Sequence, residues 1–131
     1  MNTNDQTPAE LQETRLYMEL RKLRGKARRE SLRTAIELAI DELELHHVRF
    51  YVKIVPHIDS GRTWGDTLPL GNHKYRIRLA TSSGDQFIRC AGHELMHVWQ
   101  FENNEAIDCD AADRFGYGLV RETAYQLGMA Q

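Results

Sequence analysis

The hydrophobic period of this chain changes between Leu43 and Val48, and that change constrains the fold more than any other feature. Before it, Leu32, Ala35, Ile36, Ala39, Ile40 and Leu43 recur at the three- and four-residue spacing of a core-facing helix, which predicts a helix from about Arg28 to Leu45. After it, Val48, Phe50, Val52 and Ile54 alternate with Arg49, Tyr51, Lys53 and Val55 until Pro56, which predicts a strand with one buried face. A chain that carries both periods needs helices packed on a sheet.

The rest of the chain extends the layout. Thr7 as a cap and Pro8 in the first turn predict a helix from Pro8 to about Arg24, with Leu11, Leu16, Leu20 and Leu23 as a loose apolar stripe that Gly25 interrupts. Asp59-Ser60-Gly61 and Pro69-Leu70-Gly71-Asn72 are turn signals. They bracket a short irregular strand, Arg62 to Leu68, and precede a third strand, Lys74 to Ala80. Ser82-Ser83-Gly84-Asp85 opens a helix from about Gln86 to Phe101, and a last helix follows Asn103-Asn104 to about Leu127. The order predicts an α+β fold in one domain, 1–131, with a basic helical extension at 1–27, a core at 28–128 and a small three-stranded, mostly antiparallel sheet.

Composition narrows the class. With 131 residues, 41% hydrophobic and 27% charged, the chain suits a single packed core rather than a disordered segment. Two cysteines, Cys90 and Cys109, exclude a disulfide scaffold. No run approaches the ~18–20 apolar residues of a membrane span. The polar start, Met1 to Pro8, lacks a basic segment followed by an apolar run, so the expected compartment is a reducing cytoplasm with both thiols free or on a metal. Net charge is −2, yet eight basic residues from Arg15 to Arg33 face only Glu19 and Glu30. Six acids from Phe101 onward face only Arg114 and Arg121. The basic segment 15–33 reads first as a solvated face and second as a surface for nucleic acid.

One pentapeptide carries chemistry: His93-Glu94-Leu95-Met96-His97. On a helix, residues four apart are neighbours, so two such histidines can bind one zinc ion. The glutamate between them lies about 100° round the helix, where it reaches a water rather than the ion. Zinc draws the pKa of that water toward ~7 and polarises a carbonyl, while Glu94 takes and passes the proton. The helical wheel agrees. Ile88, Ala91, Leu95, Val98 and Trp99 fall within about 60° of one direction, and both histidines fall on the opposite side. A third ligand must come from elsewhere, since no histidine follows His97. If the last helix returns antiparallel, Cys109 and Asp113, one turn apart, face the histidines. One of them is then a ligand and the other a ligand or an acceptor orienting an imidazole. Asp108 is the reserve, with helix capping as its alternative role.

His93-Glu-Leu-Met-His-Val-Trp-Gln100 resembles the active-site helix of zincin metallopeptidases, especially small SprT-like enzymes and those of phages and mobile elements. The order of the Arg62–Asp66 strand, the Tyr75–Leu79 strand and the histidine helix is similar to that minimal fold. Ala112-Asp113-Arg114-Phe115 resembles the second helix of gluzincins, with Asp113 at the aspartate of ExxxD and Cys109 where the ligand glutamate stands. Asp108, eleven residues after His97, approaches the aspzincin spacing. The resemblance implies a peptide or protein substrate, one zinc ion, no membrane, and the Lys74–Ala80 strand as the cleft edge that pairs with substrate. Tyr117 and His73 are candidates for stabilising an oxyanion. An alternative is a catalytically weak or inactive zincin-fold module that binds nucleic acid or a protein through a structural zinc. Trp64 and Trp99 are expected in the core, and Cys90 is expected to be structural.

Overall fold

A computed structural model describes residues 15–128. Its elements are β1 (Leu16–Met18), α1 (Lys26–Glu42), β2 (Arg49–Val55), β3 (Gly65–Gly71), β4 (Lys74–Ala80), α2 (Phe87–Glu102) and α3 (Cys109–Gln126). Short 3-10 turns cover Leu20–Lys22, Asp59–Gly61 and Thr81–Gln86. The fold is α+β. Among the described residues, no helix is long and apolar enough to cross a membrane.

Among the described residues the sheet has four strands in the order β1-β2-β4-β3, and it is mixed rather than mostly antiparallel. β1 runs parallel to β2 (Leu16 opposite Phe50), and β2 runs parallel to β4 (Phe50 opposite Tyr75). β3 pairs antiparallel with β4 (Gly65 opposite Leu79). Parallel neighbours need a crossover. α1 supplies the one between β1 and β2. After β2 the chain passes to the far edge, returns along β3 and turns into β4, which therefore lies inside the sheet. β4 is not the edge strand that the sequence suggested; β3 is.

The largest departure is at the start. Of the helix expected over Pro8 to Arg24, residues 8–14 lie outside the described segment, and the remainder forms β1 and a 3-10 turn. The cause is tertiary. The Glu19 side chain is buried against β2, where it accepts from the Tyr51 hydroxyl (2.9 Å) and the Ile54 amide (3.1 Å). The Glu19 amide donates to the Val52 carbonyl. This seat requires an extended approach, and propensity yields to it. Leu20 and Leu23 still enter the core, so 15–27 is part of the fold rather than a helical extension of it. Gly25, at φ 92°, turns the chain into α1.

The period-reading elsewhere holds to within a few residues. Leu32, Ile36 and Ile40 of α1 pack with Phe50, Val52 and Ile54 of β2, Ile77 and Leu79 of β4, and Ala91, Leu95 and Val98 of α2. The turn expected at Pro69–Asn72 is tighter. β3 continues to Gly71, and Asn72 and His73 alone form the hairpin, both in the left-handed region (φ 55° and 59°). Ser82–Asp85 belongs to a 3-10 turn rather than a cap.

Two glycines set the approach of α3 to α2. A Cβ on Gly92 would lie 2.8 Å from the Gly116 Cα, and a Cβ on Gly116 would lie 2.4 Å from the Arg89 carbonyl oxygen. Backbone meets backbone there, and this brings the first turns of α3 onto the histidine face of α2.

Candidate metal centre

α2 buries Ala91, Leu95 and Val98 and turns His93 and His97 away from the core, toward α3. The two rings stand edge to face, 4.5 Å between centroids, with their Nε2 atoms 2.9 Å apart. Each Nδ1 has its own partner. His93 Nδ1 faces the Asp113 carboxylate at 2.7 Å, and His97 Nδ1 faces Gln100 Oε1 at 2.8 Å. The Gln100 amide cannot be turned over. Its Nε2 donates to the Asp108 carbonyl (3.2 Å), and its Oε1 accepts from the Asp108 amide (3.3 Å).

These partners fix the tautomers. A carboxylate and an amide oxygen only accept, so both Nδ1 atoms carry the proton. A neutral imidazole has one proton, which leaves both Nε2 atoms as bare lone pairs facing each other. Such a pair is held together by a cation between the two nitrogens, a shared proton or a metal ion, and orienting an imidazole through its other nitrogen is how metal-binding histidines are held. Cys109 Sγ lies 3.9 Å from His97 Nε2 and is exposed. His93, His97 and Cys109 thus present three donor atoms, all within 4.8 Å of one another, as a set able to hold a metal ion.

Asp113 and Asp108 take other places. Asp113 touches His93 at the nitrogen facing away from the donor set. Arg89 Nη1 stands 3.6 Å from the same Asp113 oxygen. Asp108 caps α3, its carboxylate accepting from the Ala111 amide at 3.1 Å. That contact satisfies one of the open amides of the first turn.

Glu94 is buried, 7% exposed, on the side of α2 facing β3. Thr67 donates to its Oε1 at 2.6 Å. Gly65 leaves room for it, since a Cβ there would crowd the Glu94 Cγ and Oε2 at 3.3 Å. Burial raises the Glu94 pKa above the usual carboxylate value, and the Thr67 hydrogen bond and the two histidines offset this only in part. The carboxylate is therefore a stronger base than an exposed one. Burial likewise pushes the Cys90 thiol up, as expected of a structural cysteine.

A cleft of about 390 Å³ opens over these groups, lined by Arg62, Trp64, Gly65, Arg89, His93 and Glu94 among others. Trp64 is 38% exposed and lines this cleft instead of the core, with Arg89 stacked on its ring (5.8 Å). Trp99 is only partly buried at the core margin. Tyr117 is exposed on α3, its ring 5.1 Å from the Arg89 guanidinium. His73 lies in a separate group with His47 and Glu102. A wider groove of about 570 Å³ between α1 and α3, around Leu38, Asp41, Arg114 and Glu122, holds no histidine or cysteine.

Sequence reading missed Gln100 and Arg89. Gln100 had a signal: it follows His97 by three residues, the spacing of helix neighbours. Arg89, four residues before His93, had the same one. Several of the basic residues before Arg33 are engaged locally. Arg29 donates to the Leu23 carbonyl, Arg21 to the Tyr17 hydroxyl, Lys22 pairs with Glu19, and Arg28 stacks on Phe87. Arg21, Lys26, Arg29 and Arg33 still line one shallow groove with Leu20 and Glu30. Comparison with protein families, curated proteins and solved structures gave no match.

Proposed function

We propose that the protein is a zinc-dependent metallopeptidase of the zincin type, with zinc held by His93, His97 and Cys109 and with Glu94 as general base. The observation that carries this reading is the pair of Nε2 lone pairs 2.9 Å apart, with both Nδ1 protons committed elsewhere. Two nitrogens and a sulfur around one tetrahedral zinc stand about 3.3 Å (N to N) and about 3.6 Å (N to S) apart. The spacings of 2.9 Å and 3.9 Å lie within a few tenths of an ångström of these. A thiolate and two imidazoles also suit zinc in softness. Three protein ligands leave a fourth position for water or substrate. Zinc supplies, when bound, a Lewis acid for the peptide carbonyl and an acidified water.

The chain's own residues do the rest. Glu94 takes a proton from the attacking water and delivers it to the departing amine, a task its raised proton affinity suits. Thr67 holds the carboxylate in place by its hydrogen bond to Oε1. Asp113 and Gln100 keep both imidazoles in the ligating tautomer. Among the described residues β3 has one free edge beside the cleft, and an extended peptide can add to it as a further strand. Trp64 and Arg89 line the same cleft and offer apolar and cationic contact to substrate side chains.

The cysteine at the third position supports a second reading, a partner-binding module in which the ion is structural. The groove of Arg21, Lys26, Arg29 and Arg33 would then meet a phosphate backbone. Against it, Asp113 is occupied with His93 Nδ1 and does not close a four-ligand site. The two readings separate on two assays. Peptide hydrolysis by zinc-loaded protein, lost in Glu94→Gln, supports the peptidase. Salt-sensitive DNA binding, lost when Arg21, Lys26 and Arg33 are neutralised, together with no hydrolysis supports the module.

A further inference from the structure

We propose that His47, His73 and Glu102 form a second metal site, distinct from the His93–His97–Cys109 cluster, for a borderline divalent transition metal such as Zn²⁺ or Ni²⁺. The three residues are far apart in sequence and come from three places in the fold: the loop before β2, the hairpin between β3 and β4, and the last turn of α2. Glu102 Oε1 stands 3.0 Å from His47 Nε2 and 2.6 Å from His73 Nδ1. All three donor atoms lie within 4.8 Å of one another.

Two features go beyond a chance surface contact. The Glu102 side chain is only 7% exposed, and its other oxygen accepts from the Tyr75 hydroxyl at 2.6 Å, so Oε1 is fixed and aimed at the two rings. His73 adopts φ 59° at the second position of a two-residue hairpin, where glycine is usual, and its carbonyl is pinned by the Arg49 amide. Holding a residue with a Cβ in that region costs on the order of 1 kcal/mol. The conformation delivers the imidazole to Glu102.

The chemistry selects the ion. Two imidazoles with one carboxylate favour zinc, nickel, cobalt or copper over magnesium or calcium, which take oxygen ligands. Around a tetrahedral ion these atoms would stand about 3.3–3.5 Å apart, so each ring needs to withdraw from the carboxylate by less than about 1 Å. The rings are free to do so, with His47 53% and His73 63% exposed at the side chain. An ion there would tie the hairpin and the α1–β2 loop to the end of α2. Because the unfolded chain lacks the site, binding would raise the melting temperature.

The inference does not rest on the peptidase reading, and its test keeps the two apart. A His93→Gln/His97→Gln variant is titrated with ZnCl2 alone. It is expected to bind one ion and to melt higher as zinc rises. Adding His47→Gln/His73→Gln should weaken that binding by more than about tenfold. Failure to bind, or unchanged affinity, overturns the proposal. A Co²⁺ titration guards against a variant that does not fold. Otherwise wild-type protein should take up two equivalents, of which only one shows thiolate-to-cobalt charge transfer. The His47→Gln/His73→Gln protein should lose the equivalent without that band. Uptake of two equivalents by this variant would equally overturn the proposal.

Discussion

Replacing Gly116 with alanine should loosen the metal centre without touching any of its ligands. The new Cβ would stand 2.4 Å from the Arg89 carbonyl oxygen, a backbone atom that cannot swing aside. To reach even 3.0 Å, the shortest approach that real side chains tolerate, α3 must withdraw from α2 by about 0.6 Å. The 2.7 Å contact between Asp113 and His93 then stretches beyond about 3.2 Å, past a good hydrogen bond. Cys109, about two turns before Gly116 on α3, moves off His97 in the same direction. Overpacking of this kind costs about 1–3 kcal/mol. For a chain of this size that lowers Tm by roughly 4–12 °C. Metal affinity should fall by about 10–100-fold, as when the group orienting an imidazole is lost. Gly118→Ala is the control. Its Cβ would meet only the flexible end of Arg121 at 3.9 Å, and exchanging a mid-helix glycine for alanine should stabilise by about 0.5–1 kcal/mol. Thermal melts and zinc titrations of the two variants decide the matter. If Gly116→Ala melts with wild type and binds zinc as tightly, close helix approach does not hold the site.

Asp113→Asn should weaken zinc binding by about 10–100-fold with little change in fold, because the acceptor that fixes the His93 tautomer loses its charge; competition with a chelator measures it, and unchanged affinity would show that Asp113 is incidental. Gln100→Ala removes the partner of His97 and both hydrogen bonds to the Asp108 peptide, and should cost about 1–3 kcal/mol together with metal affinity, read by denaturant melts with and without zinc. Thr67→Val removes a hydrogen bond that lowers the Glu94 pKa, so the acid limb of the pH–rate profile should move upward; a shift downward contradicts the role given to Thr67. Glu94 itself binds its proton more tightly folded than unfolded. In the metal-free protein it therefore favours folding below the usual carboxylate pKa and loses that contribution as pH rises through its raised value. Metal-free Glu94→Gln should accordingly gain stability over wild type at neutral pH, as seen in melts across pH 4–8.

Legibility in the sequence followed the range of the interactions. α1, β2, β4 and α2 were visible because the period of their own apolar residues sets their buried faces. The placement of Cys109 and Asp113 over the histidines followed from a short antiparallel connection and a one-turn spacing. β1 was not visible, because Leu16-Tyr17-Met18 suits either period and the choice falls to Glu19 finding its partners 32 and 35 residues away. The central position of β4 depends on pairing with β2 across a whole intervening strand, which no local pattern encodes. Gly92 and Gly116 carry no signal in the local pattern, because their role appears only where the backbones of α2 and α3 touch. His47, His73 and Glu102 carry no mutual spacing at all; only the hairpin and the end of α2 bring them together.

The central claim is that Glu94 works as a base beside an ion held by His93, His97 and Cys109. It is tested most directly by measuring zinc content and peptide-library hydrolysis for wild type and Glu94→Gln in parallel, both in the His47→Gln/His73→Gln background. The account predicts about one zinc in each protein, with hydrolysis present in the first and lost in the second. A protein that cannot be loaded with zinc, or hydrolysis that survives Glu94→Gln, would contradict it.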